Sequence, residues 1–270
     1  MAAANWYPNG AGGTVGDPLA TLPNLYTPGT IWYVGNAGTD AAAPAGKRRE
    51  KPLKTTGQAN TNAAAGDMIV YLSGFTETLG ASVVISKSGL WFVSEGTGSS
   101  RARLTAGTGA GAMLDITGQS VVLSNLYFPA STAVPVARVR TAAADTNILT
   151  CYFECGTNDV GSAVGIITGA SAIYIDDTVF ISTAGSPAAQ PTIGINVINA
   201  VTGLIMDNVI FDGGVSGWSS SALLGTAAIT NLRATNIDLM NDSVASFASG
   251  SNGKFYLRNK SGNSEVIWTP

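Results

Sequence analysis

The 270-residue sequence contains no histidine. That absence removes every mechanism built on an imidazole: Ser-His-Asp and Cys-His nucleophilic catalysis, and histidine-ligated zinc or non-haem iron. Chemistry by carboxylates, lysine or tyrosine survives. Charge is also scarce, at 11% of residues against about 25% in an average globular chain. With 14 basic and 17 acidic residues the formal charge is -3. No concentrated basic surface is available to displace counterions from phosphates, so nucleic-acid binding is not expected. Long apolar runs are missing too. None approaches the roughly 20 residues that a membrane-spanning helix needs, and membrane insertion is not expected. The opening MAAANWYPNGAGG lacks the basic start and continuous apolar stretch of a secretory signal, so none is expected. The cysteines are only Cys151 and Cys155. In an extended strand their separation is about 13 Å, beyond disulfide reach, which predicts free, partly buried thiols.

What is present is apolar and rich in turn formers. Hydrophobic residues make up 45% and mean hydropathy is +0.23, which excludes disorder through lack of core-forming side chains. Residues 1–30 carry Trp6 and Tyr7 among Pro, Gly and Asn, have no sustained period, and read as an extended arm. Residues 31–80 read as a cap and first coil: strand-like IWYV, a polar loop with the basic run Lys47, Arg48, Arg49 and Lys51, a short helix in KTTGQANTNAAAGD, and the strand MIVYL. Residues 81–260 are repetitive, and 261–270 form a terminal cap or tail.

Within the repetitive region, VLSNLYF, NILTCYF, YIDDTVF, IMDNVIF and RATNIDL align, ending at Phe128, Phe153, Phe180, Phe211 and Leu239. A recurrence every 25 to 31 residues is the signature of a solenoid, whose units bury their apolar faces by stacking. Two-residue alternation assigns the columns. Leu123, Ile148, Ile175, Met206 and the weaker Ala234 point inward, as do Leu126, Cys151, Thr178, Val209 and Ile237. Between them Asn125, Thr150, Asp177, Asn208 and Asn236 occupy a bend where short polar side chains can bond to nearby backbone. The terminal Phe/Leu column predicts an aromatic stack in the core of a wound parallel β-coil, an all-β fold. An antiparallel sandwich is the competing architecture, but it does not require this inward–bend–inward order.

With WYVGNAGTD, KRREKPLKT and AAAGDMIVYLSGFTE ahead of these SNLYF-type turns, the chain resembles the right-handed parallel β-helix superfamily of pectate lyases, polygalacturonases and phage tailspikes. The likeness covers roughly residues 31–260. It implies a single-stranded right-handed parallel β-helix with an N-terminal arm and cap. It does not fix an activity, because the same solenoid serves enzymes and inert virion proteins.

Polygalacturonase-like members use aspartates with a histidine-containing motif that this chain cannot supply. Asp176 and Asp207 fall at equivalent outward positions before the bend. They are the candidate pair for acid–base catalysis at a glycosidic bond or for Ca2+, with solvated turn carboxylates as the plainer reading. No cofactor motif is present. The outward column Tyr127, Tyr152, Val179, Ile210 and Asp238 predicts an apolar surface strip. Such a strip calls for cover by another subunit or by the chain's own terminal arm, with an aromatic glycan platform and ordinary surface exposure as the alternatives. With Trp6, Tyr7 and Trp268 at the termini, it makes subunit contact the leading expectation. The functional expectation is a noncatalytic structural protein of a bacteriophage virion, a capsid decoration or tail-associated protein, contacting copies of itself and other virion proteins. The alternative is an extracellular polysaccharide-binding or polysaccharide-cleaving β-helix.

Overall fold

A computed structural model describes residues 29–40, 45–107, 111–130, 137–156, 162–167, 169–183, 193–215, 217–218 and 221–268. Trp6 and Tyr7, and nearly all of the arm expected at 1–30, lie outside this set. The named strands all pair in parallel, and each strand's partners lie one coil before and one coil after it. The result is an all-β, single-stranded right-handed parallel β-helix.

Each coil contributes to three stacks. The first contains Met68–Tyr71, Trp91–Ser94, Val122–Ser124, Asn147–Leu149, Ser171–Asp176 and Val201–Asp207. After a sharp corner comes the second, with Tyr127–Phe128, Tyr152–Cys155, Val179–Ser182 and Ile210–Asp212. Strand Leu232–Met240 runs through both and joins them into one 16-stranded sheet. The third stack is a separate 8-stranded sheet that ends with Val244–Phe247 and Glu265–Trp268.

The aligned motifs become physical columns. Phe128, Phe153, Phe180, Phe211 and Leu239 are cross-strand partners and wholly buried. The four rings stack nearly face to face, with centroids 4.6, 5.0 and 5.1 Å apart. Coil spacing sets that geometry, since adjacent parallel strands lie about 4.8 Å apart. Both cysteines are buried and neither forms a disulfide. Burial pushes the Cys151 thiol up to about 12.

The polar bend is equally regular. Asn125, Thr150, Asp177, Asn208 and Asn236 all have left-handed backbone, with φ of 58, 53, 46, 50 and 55°. In that conformation each of the first four N–H groups points along the solenoid axis and donates to the next coil, as from Asn125 to Leu149 and from Thr150 to Asp176, both at 2.9 Å. Asn and Asp tolerate this region and β-branched residues do not. Thr150 is therefore the strained member. Its hydroxyl only returns to its own neighbour, Leu149 O, at 2.7 Å. Thr150→Asn is expected to raise the thermal midpoint, with a gain of about 1 kcal/mol; an unchanged or lower midpoint contradicts strain at this corner.

Between the strands at 31–34 and 68–71 the chain forms helix Thr56–Asn62. Its first N–H and the Thr56 hydroxyl both donate to Glu77, and Thr55 caps Gln58. Within the basic run, Arg49 forms a two-point ion pair with Glu95, and Lys47 lies over the Trp32 ring. Two of its cations are thus satisfied within the chain. No helix among the described residues is long and apolar enough to cross a membrane.

Candidate functional site

Alternation along the second stack sends Tyr127, Tyr152, Val179, Ile210 and Asp238 outward as cross-strand partners. They form the outward column that alternation predicts. The first four are half-buried and Asp238 is buried. The corner and the preceding coil rise beside the column and turn its first part into a recess.

The recess encloses about 450 Å3, and its wall includes Arg101, Tyr127, Tyr152, Glu154, Asp177 and Val179. The short turn at Gly98–Ser100 places Arg101 on one side. The tyrosines meet edge to face, with centroids 5.5 Å apart and planes at 79°. Just beyond, the Arg103 guanidinium sits 4.6 Å over the Tyr127 ring. Burial pushes the Tyr127 phenol up to about 12; its hydrogen bond to Glu154 and that carboxylate's charge add to the shift, while Arg103 opposes it. The phenol is therefore protonated at neutral pH and serves as a hydrogen-bond donor. The Arg101 Nε is buried without a hydrogen-bond partner among the described residues. The wall thus combines flat apolar faces, a guanidinium with an unpartnered Nε and carboxylate acceptors.

Register also brings the candidate carboxylates together: Asp176 and Asp207 are direct cross-strand partners. Their environments differ. Asp207 Oδ1 accepts from the Thr235 hydroxyl and Asn236 Nδ2, both at 2.8 Å, and so fixes the corner above it. Asp176 accepts from Tyr174, and its carboxyl is raised above the ordinary range by burial and then by Asp177, with Asp207 adding to the rise. No group of three or more Asp, Glu, Cys or His able to hold a metal occurs among the described residues, and neither aspartate lines the recess.

A carboxyl with a raised folded pKa contributes stability at low pH, and that contribution is lost as pH rises through the folded value. Asp176→Asn is accordingly expected to unfold at a higher temperature than the unaltered protein at pH 7. The gap should close as pH falls through the carboxylate range. A constant gap in thermal scans from pH 3 to pH 7 contradicts this assignment.

At the far end of the column, Asp238 is paired with Arg258, whose Nε and Nη2 reach its two oxygens at 2.9 and 2.7 Å. The Arg258 Nη1 also donates to Asn208. Trp268 stacks on Phe247 at 4.4 Å and remains 41% exposed. Arg101, Glu154 and Arg258 are the site and column residues that the sequence reading did not single out. Glu154 follows Tyr152 by two and was accessible through alternation; Arg101 lies on an aperiodic turn that carries no such signal.

A parallel β-helix with an outward corner recess is the class that fold and site define. No protein-family model matches the sequence, and no curated protein matches it. Solved structures with a similar course include a rhamnogalacturonan lyase, at 12% identity and TM-score 0.48, over 82% of this chain and 69% of that one. A pectate lyase, Pel9A, has 14% identity and TM-score 0.42, over 89% and 78%. An alginate lyase from Paenibacillus sp. str. FPU-7 has 17% identity and TM-score 0.34, over 78% and 94%. At these values the likeness is a matter of chain course and says nothing of what this protein acts on.

Proposed function

We propose that this protein is a polysaccharide-binding β-helix that seats sugar rings in the corner recess. The observation that carries the reading is the recess itself, where Tyr127 and Tyr152 supply aromatic surface beside Arg101, Glu154 and Asp177. Sugar rings present apolar C–H faces and a rim of hydroxyls, which this mixture of flat and polar groups complements. The volume falls within the 300–1,000 Å3 common for small-ligand sites.

The test is retardation of the protein in native gels containing one of a panel of neutral and acidic polysaccharides. At least one polysaccharide should retard it. Tyr152→Ala should weaken that binding by about tenfold to a hundredfold, the equivalent of losing 1.5–3 kcal/mol of apolar contact. Retardation unaffected by Tyr152→Ala, or absent across the panel, counts against the reading.

A second reading, a noncatalytic bacteriophage virion protein acting through subunit contacts, is favoured by a different part of the column. Val179 and Ile210 continue it with apolar, half-buried side chains that offer a sugar no hydrogen bonds. That role predicts a stable oligomer that dissociates when Ile210 is replaced by Asp; a monomer at all concentrations in native mass measurements contradicts it.

A further inference from the structure

The charges around the recess are unevenly matched. Among its described lining residues, two carboxylates, Glu154 and Asp177, face one guanidinium, that of Arg101. Along the following coils the imbalance grows. Glu154, Ile181 and Asp212 form one cross-strand column, and Asp176 and Asp207 pair at the corner that carries Asp177. Two further cations along this wall serve the chain itself. Arg103 lies over the Tyr127 ring, and Arg258 grips both oxygens of Asp238 while Asp177 and Asp207 also draw on its charge. The side-chain amide of Asn208, which is neutral, donates to Asp177. The phenols register the same sign. Burial raises the Tyr152 phenol above its ordinary range, the charges of Glu154 and Asp212 raise it further, and Arg101 opposes them. Tyr174, beside the corner, is pushed up to about 12 by burial and then by Asp176, with Asp207 and Asp177 adding to the rise.

Resting on the reading that polysaccharide binds in this recess, we propose that the recess selects neutral sugar residues and rejects uronates. Ionised carboxylates accept hydrogen bonds and donate none. A neutral sugar brings O–H donors around its ring and no charge, which suits Glu154 and Asp177. A uronate brings an anion that Arg101 must balance against both of them, in a partly enclosed site where repulsion is less screened than in open water. The Arg101 Nε is buried. That closes the side-on, two-point grip through Nε and one terminal nitrogen that Arg258 uses on Asp238. Like charges facing each other across a binding site work as a device against the wrong partner.

The test is electrophoresis of the full chain at low salt through gels containing galactomannan, xyloglucan or starch as neutral polymers, or polygalacturonate or alginate as uronates. A neutral polymer should retard the unaltered chain most strongly. Oxidising the primary hydroxyls of that polymer to carboxylates should weaken binding by about tenfold. Glu154→Gln/Asp177→Asn removes both charges at nearly constant shape and should narrow that gap by about threefold or more. The control Glu50→Gln/Glu265→Gln makes the same change in net charge at exposed positions outside the recess lining, and should leave the gap as it was. Stronger retardation by a uronate than by every neutral polymer overturns the proposal and leaves polysaccharide binding standing; retardation by no polymer overturns both. That comparison uses the unaltered chain and so holds whether or not the double variant folds. A gap unchanged in the recess variant, or narrowed equally in the control, overturns the assignment of selectivity to Glu154 and Asp177.

Discussion

Phe153→Ala is expected to cost about 3–5 kcal/mol, the usual range for truncating a buried phenylalanine. The thermal midpoint should fall on the order of 10 °C. Phe153 lies between Phe128 at 4.6 Å and Phe180 at 5.0 Å, is wholly buried, and has ring planes within 6° of both neighbours. The void opens in the middle of a stack whose spacing is fixed by the hydrogen bonds between coils, so the backbone cannot collapse into it. Phe153→Leu keeps most of the volume and should lose under about 1.5 kcal/mol. Solenoids transmit stability from neighbour to neighbour. Hydrogen exchange should therefore show the loss first in the strands at 127–128 and 179–182. An alanine variant within 1 kcal/mol of the unaltered protein in urea titrations contradicts a core held by this stack.

The second large effect concerns the Arg258 clamp, which ties the strand at 253–260 to the two coils before it through Asp238 and Asn208. The Asp238 side chain is only 10% exposed and that of Arg258 is 44% exposed. Arg258→Ala therefore strands a nearly buried carboxylate but leaves the vacated side open to water. The expected loss is about 1–3 kcal/mol, below the figure for a fully buried pair. Faster hydrogen exchange should be concentrated in 253–260. Arg258→Ala/Asp238→Val should recover most of the loss, because Val179 and Ile210 occupy the same column below and a valine continues it. A double variant no better than the single one contradicts the view that the stranded charge is the cause.

These two cases mark what the sequence could show. The phenylalanine column was legible because solenoid coils put equivalent residues at near-constant spacing, and the polar bend because one left-handed corner residue recurs in every coil. The pairing of Asp176 with Asp207 followed from the same register. The Arg258 clamp was hidden, because its strand pairs with Leu232–Met240 through register shifts between Ala234 and Asp238 that break the repeat. The recess was half legible. Its tyrosines belong to a column, but their enclosure depends on the turn at 98–100 and on Arg101, whose position is set by tertiary structure. Outward direction was legible along this column; its partial enclosure was not, because an outward side chain beside a sharp corner faces the wall of that corner.

The most direct test of the central claim is a crystal structure of the protein soaked with an oligosaccharide of the polysaccharide that retards it most strongly. A sugar ring should lie against Tyr152, with hydroxyls or a carboxylate within hydrogen-bond reach of Arg101 and Glu154. A sugar bound on the third stack or at an end of the solenoid, with the Tyr127–Tyr152 recess holding only water, would contradict it.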